Sequence, residues 1–292
     1  MSGLAEVYFE KALTAVRGHA NDHALALLVE AIKHKPNFAE AWVVRGNVLH
    51  SIERPFDALL HYDRALGINA YLHDAWNNRG FCFADLGMWD SAEECFRKSA
   101  EILPAFEPHM GLANMYCTLM RLQEAEYEYG QAIRFGAGPD AHFNRGVALL
   151  GMGCWSEGFE EYAHRWANTP YPPRAFRNYP QWRGEDLAGK RIILFPEQGY
   201  GDEILGLRFA LDLYNRYANV NVIVEVRSPM RRLAEDCLPR DGTSTIRVVP
   251  YNTDDEIQAD YSCALLDVPM MLPLSPGSVS VGSYLHGADH VA

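Results

Sequence analysis

HDAWNNRGFCFADLGMWDSAEECFRKSAEILPA, residues 73–105, repeats the spacing of AEAWVVRGNVLHSIERPFDALLHYDRALGINAYL, residues 39–72, directly before it. Both stretches place Trp at the fourth position (Trp76, Trp42), Gly at the eighth (Gly80, Gly46), Ala at the twentieth (Ala92, Ala58) and an aromatic ring at the twenty-fourth (Phe96, Tyr62). Carried outward, the register finds five repeats starting near Ala5, Ala39, His73, Phe106 and Pro139, in steps of 34, 34, 33 and 33. Position 8 reads Ala12, Gly46, Gly80, Ala113 and Gly146; position 20 reads Ala24, Ala58, Ala92, Ala125 and Gly158; position 24 reads Leu28, Tyr62, Phe96, Tyr129 and Tyr162. A period of this length marks stacked supersecondary units. Each unit reads as two antiparallel helices, in which small residues let the backbones approach and a bulky one fills the remaining space. Pro36, Pro104 and Pro170, at position 32, end the second helix. One such pair cannot bury its apolar face alone, so neighbours stack into a solenoid whose inner wall is built from the first helix of each repeat.

With Trp42 and Trp76 at its aromatic fourth position, this pattern over residues 5–171 resembles the tetratricopeptide repeat (TPR) family. The departures are Leu28 in the first repeat, His109 and His142 at position 4, and Arg165 at position 27, where the others have Ala31, Ala65, Ser99 and Ala132. They read as the divergence of repeats near the ends of a stack. The resemblance implies a protein, or an extended peptide, as partner in the groove.

Asparagines fall on the expected inner wall: Asn77 at position 5, Asn78 and Asn144 at position 6, Asn47 and Asn114 at position 9. Residues three or four apart share a helix face. A carboxamide carries both donors and an acceptor, which suits it to holding the backbone of an extended peptide. The alternative is that these residues merely solvate an exposed surface. Arg45, Arg79 and Arg145, each preceding the glycine of position 8, either bind acidic groups or pair with neighbouring acids.

Residues 172–181 are a proline-rich joint (Pro172, Pro173, Pro180) that favours an extended connector. After it the pattern changes to short apolar runs between helical stretches, giving an expected division into 1–171, the joint, and an α/β lobe over 182–292. RIILF at 191–195, NVIVEV at 221–226, TIRVV at 245–249 and YSCALL at 261–266 read as strands, with a helix from about Asp202 to Tyr217 and another opening at Pro229. Alternation of this kind implies a parallel sheet whose ligands bind at the carboxyl ends of the strands. The loop Gln198, Gly199, Tyr200, Gly201, Asp202, Glu203 is the candidate for chemistry. Its glycines allow tight turning and close approach of a ligand, and Asp202 is either the helix cap or a residue aimed into the cleft. GYGDEI also holds two glycines of a dinucleotide fingerprint, with Glu225 as a ribose ligand, but Ile204 stands where the third glycine belongs.

EEYAHRW at 160–166 and PQWRGEDLAGKRIILFPEQGYGDEILGLRFA at 180–210, with Trp182, Gly184, Leu187, Gly189 and Lys190, and the later YSCALLDVPMML and SYL segments, are similar to bacterial TPR proteins with a GT-B glycosyltransferase-like module. That group is akin to the heptosyltransferases. The resemblance implies an α-helical TPR solenoid followed by an α/β Rossmann-like lobe, the acceptor-side half of the module. It also implies that Asp202 is the base that deprotonates an acceptor hydroxyl, with a sugar acceptor as possible ligand. The donor-binding lobe is expected to be missing, so the sequence reads as a fragment or a truncation that is not catalytic by itself.

The 292 residues hold 26 Lys and Arg against 38 Asp and Glu, a formal charge of -12, which repels a nucleic-acid backbone. The part up to residue 171 holds 14 basic and 22 acidic residues, net -8. Six cysteines without CxxC or zinc spacing read as reduced thiols, and neither a metal nor a cofactor is expected. No signal peptide and no long apolar run are visible, so a cytoplasmic protein without a membrane span is expected.

Overall fold

The computed structural model describes residues 3–168, 178–197, 199–239, 245–251 and 257–272. The chain divides into two compact units, Met1–Ala148 and Leu149–Ala292. Residues 172–177 of the joint, Gln198, and the SYL segment at 283–285 lie outside the described residues.

The first unit is a TPR-type solenoid. Its helices are α1 (Leu4–Arg17), α2 (Asn21–His34), α3 (Ala39–Ser51), α4 (Pro55–Ile68), α5 (His73–Asp85), α6 (Trp89–Ile102), α7 (Phe106–Thr118) and α8 (Leu122–Arg134). Two more, α9 (Pro139–Gly151) and α10 (Trp155–Tyr162), stand at the offsets of the fifth repeat, and the division between the units falls inside α9.

The rings of position 24 fill the space that glycine leaves open. A Cβ on Gly46 would fall 2.6 Å from the Tyr62 ring, and one on Gly80 would fall 2.7 Å from the Phe96 ring. Gly111, a position that the spacing does not single out, meets the same Phe96 ring at 2.5 Å. Phe96 is thus clamped between its own repeat and the next.

A second periodicity lies in the backbone. Position 15 takes a left-handed conformation in all five repeats: His19, Glu53, Gly87, Met120 and Gly153, with φ of 55°, 60°, 70°, 57° and 81°. The following amide then reaches back to the carbonyl of position 11: Ala20 to Ala15, Arg54 to Leu49, Met88 to Phe83, Arg121 to Tyr116 and Cys154 to Leu149, at 2.8–3.0 Å. This Schellman closure satisfies carbonyls at the end of each first helix and sets the sharp turn into the second.

The second unit holds a short 3-10 segment, Ala163–Asn168, and a four-stranded parallel sheet. Its elements are β1 (Arg191–Phe195), α11 (Tyr200–Arg216), β2 (Asn221–Val226), α12 (Arg231–Cys237), β3 (Thr245–Pro250) and β4 (Tyr261–Ala264), in the order β3-β2-β1-β4. Central strands with apolar runs on both faces, RIILF and NVIVEV, are what a covered parallel sheet requires. The fourth strand is shorter than YSCALL suggests. Leu265 and Leu266 turn away into a 3-10 segment, Leu265–Asp267, where Leu265 packs so closely on α11 that a Cβ on Gly206 would lie 2.6 Å from it. Gly206 therefore does the close packing expected of a glycine at position 204.

Two glycine exchanges should act with opposite sign. Gly80→Ala, worth about 1 kcal/mol of gain in an open helix, is expected to cost about 1–3 kcal/mol here through overpacking on Phe96. Met120→Gly, at an exposed left-handed residue, should gain about 0.5–1 kcal/mol. Denaturant titrations followed by far-ultraviolet circular dichroism measure both.

Candidate functional site

Five asparagines are expected on the inner wall, and they do different things. Asn47 on α3 accepts the Tyr62 hydroxyl at 2.8 Å, and Asn114 on α7 accepts the Tyr129 hydroxyl at 2.6 Å. Tyr62 and Tyr129 are buried, and burial pushes both phenols up. Each hydroxyl therefore stays a donor and needs an acceptor at the wall. Asn78 on α5 donates to the same Asn47 oxygen at 2.9 Å, bridging successive first helices. That bond, with a longer one at 3.5 Å from Asn77 Nδ2 to Asn78 Oδ1, fixes the half-buried Asn78 while leaving one amide hydrogen and one lone pair of its carboxamide unused. Asn77 departs from the expectation: it is buried, at 8% exposure, and its Oδ1 has no hydrogen-bond partner among the described residues. Asn144 stands half-buried at the offset of Asn78 in the fifth repeat. Of the arginines, Arg79 pairs with Asp63 at 2.8 Å, and Arg145 Nε donates to Glu126 at 2.9 Å.

In the second unit the loop after β1 enters α11 with Gly199 as its cap residue. Asp202 stands three residues later, half-buried, and accepts the Gly199 amide at 3.2 Å. It is thus a reciprocal cap rather than the N-cap itself. Gly199 has φ -76° and ψ 173°, so glycine is not needed there for turning. A Cβ on Gly199 or Gly201 would meet nothing within 4 Å, so the chain's own packing demands neither glycine. Tyr200 is exposed, whereas Glu203 is fully buried and accepts the Arg227 amide at 2.8 Å. Burial raises the Glu203 carboxyl against the pull of Arg227. Glu225 is buried too, so it does not stand open to a ribose.

Beside this loop lies a cluster that spacing alone does not reveal. Arg165 Nε donates to Glu197 at 2.6 Å and its Nη2 to Asp267 at 2.6 Å, while Trp166 Nε1 donates to Asp267 at 3.1 Å. The three charged side chains are 7%, 4% and 3% exposed. Glu197 follows β1 and Asp267 follows β4, so one arginine joins the carboxyl ends of the two strands between which the order reverses. The guanidinium also lies 4.4 Å from the Tyr162 ring and 4.6 Å from the Trp166 ring. Burial disfavours its charge, yet Glu197 and Asp267 more than offset this and hold its proton more firmly than usual. Glu197 is raised, first by burial and against the opposing pull of Arg165. The Tyr162 phenol is raised by burial, with Glu197, Asp202 and Asp267 adding to it and Arg165 opposing. Arg165 is therefore a connecting residue, not an instance of terminal divergence.

Three of the residues singled out in the sequence beyond the joint, Trp182, Gly184 and Gly189, have structural roles. Trp182 is buried, and its indole donates to the Glu185 carbonyl at 2.8 Å. Gly184 and Gly189 have φ of 98° and 68°, which only glycine adopts easily.

Residues 73–106 match the tetratricopeptide repeat family. FlbA of Caulobacter vibrioides is 25% identical over 234 residues, 78% of this chain, and the chain spans about a third (34%) of FlbA's length. Among solved structures, pilF of Pseudomonas aeruginosa covers 73% of this chain and 86% of its own, at a TM-score of 0.57 and 14% identity. The MamA protein covers 59% and 99%, at 0.50 and 15%. These likenesses show the TPR-type solenoid fold. No described helix is long and apolar enough to cross a membrane.

Arg165→Met would leave two buried carboxylates without their cation, a change expected to cost about 3–5 kcal/mol. Glu197 holds a proton more readily folded than unfolded, so its ionisation costs stability as the pH rises past 4.5. The deficit of the variant should be full at neutral pH and shrink as the pH falls toward 4.5. Unfolding of variant and parent across that range measures the difference.

Proposed function

We propose that this chain is a protein-binding scaffold whose inner wall holds the backbone of an extended polypeptide, with Asn78 and Asn144 as the contacting carboxamides. The observation that carries this reading is the shared acceptor at Asn47. One oxygen takes the Tyr62 hydroxyl and the Asn78 amide together, so Asn78 is oriented before any ligand arrives. Preorganisation of this kind lowers the cost of binding. Asn47 and Asn114 then act as supports, and Asn77 lies behind the wall. Asn78→Ala combined with Asn144→Ala is expected to weaken peptide capture by about 1–3 kcal/mol, one net hydrogen bond at each position. Fluorescence anisotropy with a peptide selected against the intact chain tests it, and unchanged affinity contradicts the assignment.

A second reading concerns the α/β unit, proposed as the acceptor-side lobe of a glycosyltransferase-like module with Asp202 as the base. What supports it is position: Asp202 stands just beyond β1, next to the reversal of strand order, and the glycines around it leave open space. Gln198, Gly199, Tyr200, Gly201 and Glu203 would form the acceptor loop, with Glu203 holding it to Arg227. Sugar transfer also needs donors for the departing nucleotide diphosphate, which the resemblance assigns to a second lobe. Incubation of this chain with a panel of nucleotide-sugars and a sugar acceptor tests the reading: turnover that disappears in Asp202→Asn supports Asp202 as the base, and turnover that survives the exchange contradicts it.

A further inference from the structure

The fourth repeat departs from the second and third at positions 4, 7 and 23, among others. At position 4 the earlier repeats carry Trp42 and Trp76, whose indoles donate to the Pro36 and Ala70 carbonyls at 2.9 Å. At position 7 they carry Arg45 and Arg79, beside position 23 of the second helix. Arg45 acts there on His61, helping to lower that imidazole to about 4 after burial, and Arg79 Nη1 lies 3.3 Å from Cys95 Sγ. The fourth repeat has His109, Leu112 and Glu128 at these three positions. Indole and guanidinium are both gone, and an acid has taken the place they face.

The result is a cavity of about 410 Å3 between α6, α7 and α8, a size that accommodates a side chain or small ligand. At its floor His109 Nδ1 lies 2.7 Å from Glu128 Oε2, with Glu128 only 7% exposed. The Phe135 ring stacks on His109 at 5.3 Å and 9°, and Tyr127 and Phe135 are themselves exposed. Glu101 also lines the cavity and shares its carboxylate with the surface residue Lys98. Arg97 lines it too, but its guanidinium is committed to Glu93 at 2.9 Å and to the Tyr116 hydroxyl at 3.0 Å.

We propose that this cavity receives an arginine side chain of a partner polypeptide, supplying from outside the guanidinium that position 7 supplies from inside in the second and third repeats. A planar guanidinium stacks on aromatic rings and donates to a carboxylate at once, which an ammonium does less well. The net charge of -8 up to residue 171 draws a basic segment toward this arm. The site shares no residue with the inner-wall asparagines.

The test is a titration of N-acetylarginine methylamide into the isotopically labelled chain, following the His109 imidazole and Tyr127 ring resonances. The lysine and tryptophan analogues are run beside it. Saturable millimolar binding is expected for arginine, weaker for lysine. Glu128→Gln should weaken it about ten-fold, as loss of one charge-assisted hydrogen bond does. His109→Trp, which restores the residue of the second and third repeats, should fill the cavity and abolish binding. If that variant misfolds by circular dichroism, Glu128→Gln alone decides. Absence of saturable shifts, equal affinity in Glu128→Gln, or tighter binding of the tryptophan analogue would overturn the proposal.

Discussion

A bulky side chain at position 24 packed against a small residue of the first helix, in the second and third repeats a ring against glycine, is the constraint from which the solenoid follows. Tyr62 fills the space at Gly46 and Phe96 the space at Gly80 and Gly111, so helices within and between repeats are held at short distance by one side chain. The chemistry of that ring then decides what the wall looks like. A tyrosine brings a hydroxyl that must find an acceptor, and an unmet buried donor costs about 1–3 kcal/mol. Asn47 and Asn114 meet it. A carboxamide placed to satisfy the core is thereby left at the wall, where it orients the next one, Asn78. Packing, polarity and the proposed binding surface are thus links of one chain.

The second unit depends on a different kind of contact. Arg165, on the segment after α10, joins Glu197 and Asp267 at the carboxyl ends of β1 and β4. Removing three charges from water is costly, and the arginine's hydrogen bonds to both carboxylates offset part of that cost. Here it ties the helical segment to the base of the loop that carries Asp202. The same guanidinium lies over the rings of Tyr162 and Trp166, beside the carboxyl ends of the two strands between which the order reverses.

Much of this was legible because side-chain size is written directly in the sequence. The pairing of Gly46 with Tyr62 and of Gly80 with Phe96 follows from offsets 8 and 24, and the four strands follow from short apolar runs. The turn between the helices was not legible, since His19, Glu53 and Met120 take a conformation that sequence assigns to glycine. The support role of the position 9 asparagines had a partial signal: Asn47 and Asn114 occur with Tyr62 and Tyr129, Phe81 with Phe96 and Leu13 with Leu28, while the fifth repeat sets Val147 with Tyr162 and so breaks the rule. Asn77 was misplaced because neighbouring helical residues point to different faces, one to the wall and one inward. Arg165 offered no local cue, as its partners lie 32 and 102 residues away.

Chemical-shift mapping of the asparagine side chains tests the central claim most directly. With the intact chain labelled on its carboxamides and titrated with a peptide selected against it, Asn78 and Asn144 should shift strongly, Asn47 weakly, and Asn77 hardly at all. Shifts confined to residues after 148, or an equal response from all the asparagines, would contradict an inner wall that presents prearranged carboxamides to an extended polypeptide.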